Sequence, residues 1–312
     1  MKQTQDDQVV RWLLAGDPAV RWQTLRDLVG LPRREIERER SRTVLEGWGA
    51  RLLAEQSAEG LWGGGLYNPK WTSTTYTLLL LRDFGLPPSN AQSKKACSHL
   101  LEKGLRADGG VNYGSATRSE TCITGMILSV GAYFECDDER LDTIADHLLA
   151  EQMSDGGWNC RYRSGATHAS MHTTISVLEG LQHYERFRGN KLKAVRAAQR
   201  RAREFLLVHR LFRSHRTGAV IKAEFKRFAF PPRWHYDVLR ALDYFQAVRA
   251  PRDARLAEAV GLVLAGRSSD GRWSLQNDYR GKSHFTLERV GAASRWNTLR
   301  ALRVLKWWQT AR

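Results

Sequence analysis

The sequence predicts an all-α protein: six helical hairpins closed into a ring, with six apolar helices inside and charged helices outside. Three observations predict it. A Gly turn recurs along the chain, an apolar segment at helical spacing follows each turn, and a more charged helical segment precedes it. The turns read EGLWGGG from Glu59, DGGVNYG from Asp108, DGGWNCR from Asp155 and DGRWS from Asp270, with a degenerate copy, TGAVI from Thr217, in the longest gap. Their step of about fifty residues is the size of a two-helix repeat.

The apolar segments are VRWQTLRDLVG from Val20, WTSTTYTLLLLRDFG from Trp71, SETCITGMILSVGAYF from Ser119, HASMHTTISVLEGLQHY from His168, RWHYDVLRALDYF from Arg233 and SRWNTLRALRVLKWW from Ser294. The charged partners are TVLEGWGARLLAEQ, SKKACSHLLEKGL, ERLDTIADHLLAEQ, VRAAQRRAREFLLVH and ARLAEAVGLVLAG. A single hairpin cannot bury its apolar face, so the hairpins must stack on one another. An open solenoid is the competing geometry, but it calls for polar capping repeats, and no such caps are evident. A closed ring follows, one domain over residues 1–312 with its repeats over 20–308.

Composition sets the class. Of 312 residues 42% are hydrophobic and 26% charged, which suits a folded globular chain. No apolar run reaches the ~18 residues of a membrane span, and acids stand where a signal peptide is basic, so a cytoplasmic protein is expected. Cys97, Cys122, Cys136 and Cys160 then read as buried thiols or metal ligands. Lys and Arg number 49 against 33 Asp and Glu, a net charge of +16 that attracts nucleic acid, membrane surfaces or phosphorylated ligands. Much of it lies in residues 33–42 and 191–205, both read as solvated helix faces.

The Asp-Gly-Gly-Trp turns at this spacing resemble the repeat shared by squalene and oxidosqualene cyclases and the β subunits of protein prenyltransferases. That resemblance covers nearly the whole chain and implies an (α/α)6 toroid. A single toroid of this length resembles the prenyltransferase β subunits more than the two-domain cyclases. Those subunits carry an Asp-x-Cys at the start of one inner helix and a His one repeat later, which bind catalytic zinc. Here the positions read Glu120-Thr121-Cys122 and Met171-His172-Thr173.

The residues support the same expectation independently. Inner helices begin just after the turns, so their N-termini gather at one rim, where aligned dipoles favour anions and thiolates. Glu120, Cys122 and His172 at that rim make an open, catalytic donor set for zinc. Cys122, Cys160, His168 and His172 make a closed, structural one; the open set is preferred. His235 and Asp237 are separate contributors on the rim, since side chains two apart on a helix diverge, and Asp237 alone either caps its helix or pairs with a rim arginine. Arg21, Arg118, Arg233 and Arg295, with Lys70, form an anion cradle, or else the repeated Arg-Trp pairs are architectural. Trp22, Trp71, Tyr76, Tyr133, Tyr236 and Trp296 fill the ring or wall a cavity for an apolar, isoprenoid-like substrate.

Two departures from the resemblance matter. The cyclases' Asp-x-Asp-Asp motif is absent; the nearest run, Glu135-Cys136-Asp137-Asp138-Glu139, falls between helices. The prenyltransferases' diphosphate-gripping Arg, Lys and Tyr correspond to Gly114, Thr117 and Ile123. The expected function is therefore a zinc-binding enzyme acting on an isoprenoid, another apolar molecule or a diphosphate-bearing one. Two alternatives stand beside it: a basic helical module for nucleic acid or another polyanion, and a cyclase-like scaffold without activity. Neither the need for a partner subunit nor the oligomeric state is legible.

Overall fold

The computed structural model describes residues 5–136, 138–189 and 192–310. Asp137 and Lys191, which belong to two of the runs singled out above, lie outside the described residues. Six hairpins close into an α/α toroid. Their outer and inner helices are, in order, α1 (Gln5–Leu14) with α2 (Pro18–Thr24), α4 (Gly47–Ala54) with α5 (Thr74–Phe84), and α6 (Ala91–Gly104) with α7 (Thr121–Tyr133). Then come α8 (Arg140–Ala150) with α9 (Met171–Arg188), α10 (Lys193–Val208) with α11 (Val238–Ala247), and α12 (Ala257–Ala265) with α13 (Arg295–Thr310). An additional helix, α3 (Arg33–Ser41), packs on α2. No described helix is long and apolar enough to cross a membrane.

The recurring turn works as a clasp. Its Trp62, Trp158 and Trp273 are fully buried, and each indole N–H donates to a carbonyl near the end of the preceding outer helix: Leu52 at 2.6 Å, Leu148 at 2.7 Å and Val263 at 2.7 Å. The backbone N–H of each Trp donates to a Thr hydroxyl on the inner helix that follows: Thr74, Thr174 and Thr298. One turn residue thus joins both helices of its hairpin. In the third repeat Val111 stands in the Trp position, and the Tyr113 hydroxyl donates to Leu100 O at 2.9 Å instead. In the degenerate fifth repeat Tyr236 does the same to Leu211 O at 2.6 Å. The Gly of the turn is fixed by backbone conformation, with φ of +85° at Gly109, +96° at Gly156 and +82° at Gly271.

Each inner helix is tied to the next. Trp22 Nε1 donates to Phe84 O at 2.8 Å, Arg82 to the Ser129 hydroxyl, and Arg240 Nε to Glu179 at 2.7 Å. Arg300 and Arg303 both reach Asp243, and Arg303 closes the circle on Gln23 at 3.0 Å. Between α7 and α9 the backbones nearly touch: a Cβ on Gly180 would sit 2.5 Å from Gly125 O. Only glycine fits there.

These ties revise the expected apolar interior. The axis is filled by paired guanidinium and carboxylate groups rather than by aromatic rings alone. Long Arg side chains span the gap, and their charge suits the C-terminal ends of the inner helices. The basic stretches do present largely exposed charged faces, and three of their arginines also act as fasteners. Arg40 donates to Gly85 O, Leu86 O and the Tyr133 hydroxyl, Arg196 to Glu185, and Arg201 to Met153 O.

Candidate metal centre at the ring mouth

Inner-helix N-termini do gather at one face, and the segments that start them carry most of the chemistry. Glu120 precedes α7 and Cys122 lies in its first turn. Cys160 lies in the loop that leads to α9. Among the described residues, Glu120, Cys122 and Cys160 each place one possible ligand atom within 4.8 Å of the other two. The Cys122 thiol donates to Glu120 Oε1 at 3.1 Å, and the Cys122 N–H donates to Cys160 Sγ at 3.2 Å. Cys160 also meets the Thr173 hydroxyl at 3.3 Å. The neighbouring Cys122 holds Cys160 below the usual thiol range, whereas Cys160, burial and Glu120 push Cys122 up.

An aromatic wall adjoins the cluster. Tyr76 and Tyr67 share a hydroxyl hydrogen bond of 2.9 Å, and Trp71 meets Tyr76 edge-on at 4.8 Å. Burial raises both tyrosines above the usual phenol range, and the neighbouring Cys122 and Glu120 add to the effect. Lys70 Nζ lies 5.3 Å from the Tyr67 ring and 5.9 Å from those of Trp71 and Trp234. The Arg233 guanidinium lies 5.4 Å over Trp71, its buried Nε has no partner, and burial lowers it to about 10. A loop of the last repeat crosses this mouth, where Trp71 N donates to Lys282 O at 2.6 Å and Lys282 N to Lys70 O at 3.0 Å.

His172 is not part of the three-residue group. Although it occupies the first turn of α9, its Nδ1 accepts the Tyr236 N–H at 2.9 Å, and its ring packs edge-on to Phe225, Trp234 and His235. Burial, with Lys222 and Arg240 behind it, lowers His172 to about 4. His168 is exposed and lines a groove beside His172, His209 and His215. The open set read from the sequence is thus regrouped, with Cys160 in the place given to His172.

The other expected residues disperse. His235 stacks between Tyr279 at 3.6 Å and Trp234 at 3.7 Å, and burial lowers it to about 3. Asp237 is fully buried and caps α11, accepting from Arg240 N at 2.8 Å and Ala229 N at 3.3 Å. Arg21 is spent on Glu39 and Glu46, Arg295 on Trp12, and Arg118 is exposed. Of the expected anion cradle only Lys70 and Arg233 share the mouth. Trp296 stacks on Phe230 at 4.1 Å and lines a different cavity. Sequence reasoning missed Tyr67, Trp234 and Tyr279, all outside the inner helices; the aromatic pair in Arg233-Trp234-His235 was the available signal for one of them.

Fold and site together define an α/α toroid with a sulfur and carboxylate cluster at its N-terminal face. No protein-family model matches the sequence, nor does any curated protein. Among solved structures, a protein from Actinoplanes is 16% identical with a TM-score of 0.48, over 94% of this chain and 90% of that one. The apo type II terpene cyclase MstE from Scytonema is 13% identical with a TM-score of 0.36, over 88% of this chain and 98% of that one. A structure of the same cyclase with geranylgeranyl dihydroxybenzoate gives the same TM-score and identity, over 87% and 96%. The overlap in each case is loose.

Proposed function

We propose that the protein is a zinc-dependent enzyme whose centre lies at the ring mouth, acting on a substrate with an apolar, isoprenoid-like body and an anionic group. The observation that carries it is the convergence of Glu120, Cys122 and Cys160 within 4.8 Å beside an aromatic wall. Two sulfurs and a carboxylate oxygen are donors zinc accepts, and three protein ligands leave one position free, as in catalytic sites. When bound there, zinc would supply Lewis-acid activation of a thiol or water.

The chain's own residues do the rest. Trp71, Tyr76, Tyr67 and Trp234 offer rings to an apolar chain and to any positive charge that develops along it. Lys70 and Arg233 present cations to the anionic end, and Arg233 has a buried N–H still to be satisfied. The neutral His172 and His235 hold the wall in place by packing.

Elemental analysis of protein purified without chelator tests the centre, with cobalt substitution as a second readout. One zinc per chain and a thiolate-to-cobalt absorption band are expected, both lost in Cys122→Ser/Cys160→Ser. Metal content that is negligible, or unchanged in the double variant, would refute it.

A further inference from the structure

Along the ring axis, from Trp296 in the first turn of α13 to Ala247 at the end of α11, lies a half-open cavity of about 310 Å³. It is walled by seven arginines and four carboxylates. Three of the carboxylates are already shared. Glu179 takes Arg240 at 2.7 Å and Arg82 at 3.5 Å, Asp83 takes Arg82 at 2.7 Å, and Asp243 takes Arg300 and Arg303. Burial alone would raise Glu179, but the charge and hydrogen bonds of Arg240, with Arg82 behind, bring it down to about 2. Glu179 therefore stays ionised, and all three carboxylates are already engaged by arginines.

Positive charge and hydrogen-bond donors are left over. Arg186, exposed at the rim of the cavity, makes one hydrogen bond, to Ala247 O at 2.8 Å. Arg40 spends its N–H groups mainly on neutral oxygens, with the exposed Glu37 at 3.5 Å. Two further N–H groups in the wall have no acceptor: Gln182 Nε2, on a residue 7% exposed, and Trp296 Nε1, on a residue 1% exposed. They stand on different helices, α9 and α13, and both residues line the cavity. A buried donor left unpaired is destabilising, so two of them on one cavity call for an acceptor.

We propose that this chamber binds a small phosphate-bearing anion, its oxygens taken by Arg186, Arg40 and the two unpaired N–H groups, and its body packed on Trp22, Trp296 and Phe230. Asp27 behind the wall pairs with Arg26 and Arg303, so seven guanidinium groups meet five carboxylates, a surplus of two that a dianion matches, and phosphate oxygens suit bidentate arginine. The volume lies at the small end of ligand pockets, too small for a long apolar chain. The site is separate from the metal centre and independent of it.

Tryptophan fluorescence and thermal shift at constant ionic strength test the proposal, with inorganic phosphate, phenyl phosphate and neutral phenol as probes. Saturable binding of a phosphate probe but not phenol is expected. Tighter binding of phenyl phosphate assigns an ester as the ligand, and tighter binding of inorganic phosphate assigns the free ion. Arg186→Ala removes an exposed side chain and Gln182→Leu keeps the buried volume; each is expected to weaken binding at least tenfold while the protein stays folded. Cys122→Ser is expected to leave it unchanged, so failure at the metal centre is distinguishable from failure here. Absence of a saturable response to either phosphate, or undiminished affinity in both chamber variants, would overturn the proposal.

Discussion

Glu120 and Asp237 stand at the same place in two hairpins, immediately before an inner helix, and their surroundings give them opposite tasks. Asp237 is buried and spends both oxygens on backbone N–H groups, so Asp237→Ala is expected to lower stability by about 2 kcal/mol, read as a shift in denaturant midpoint. Glu120 makes no capping bond and accepts from Cys122 instead. Glu120→Gln is expected to leave the midpoint nearly unchanged and to weaken zinc binding. His172 offers a pH test. Its folded value near 4 lies below the ordinary imidazole value of 6.5, so the neutral form is favoured by folding. That contribution is complete above about pH 6.5 and is lost as pH falls toward 4, because the unfolded chain takes up the proton first. His172→Gln is therefore expected to flatten the fall in melting temperature between pH 6.5 and 4; an unchanged slope would refute the assignment. The sequence showed which residue types meet at the rim, since Cys122 and Glu120 share a helix start. It did not show which neighbour completes the group: Cys160 sits in a loop whose path depends on Thr173 and on the Cys122 N–H, contacts with no periodicity to read.

The clasping turn explains why the hairpins were legible. A Trp that must reach one carbonyl behind it and one hydroxyl ahead of it leaves a fixed pattern, and repetition makes the pattern visible. Trp158→Phe retains the ring but strands Leu148 O, and is expected to cost about 1–3 kcal/mol in equilibrium unfolding. A loss below the error of the measurement would mean that the indole serves packing alone. Where Tyr113 and Tyr236 take over the task, the reach comes from a different backbone position, which is why the fifth repeat reads as degenerate. Helix α1 went unnoticed as an outer partner because no clasping turn separates it from α2, only Gly16 and the capping Asp17.

At the scale of the ring, the six inner helices and their order follow from periodicity, but the polar axis does not. Arg82, Arg240, Arg300 and Arg303 fall in otherwise apolar segments and resemble ordinary helix-end charges until closure turns them inward. Asp243 serves two of them at once. Asp243→Asn is expected to destabilise the fold by about 3–5 kcal/mol, the cost of leaving buried charge unpaired, measured by urea unfolding. A change under about 1 kcal/mol, the worth of an exposed pair, would show that water reaches the axis.

The tie from Arg303 to Gln23 has a temporal side. On the ribosome the helix bearing Gln23 is made early, and its neighbour in the ring emerges some 270 residues later, so the seam between them is among the last contacts available. Until then α2 has one flank bare, and a nascent chain stalled before Arg295 would present Trp22 and the unpaired carboxylate of Asp243 to whatever chaperone or neighbouring chain is at hand.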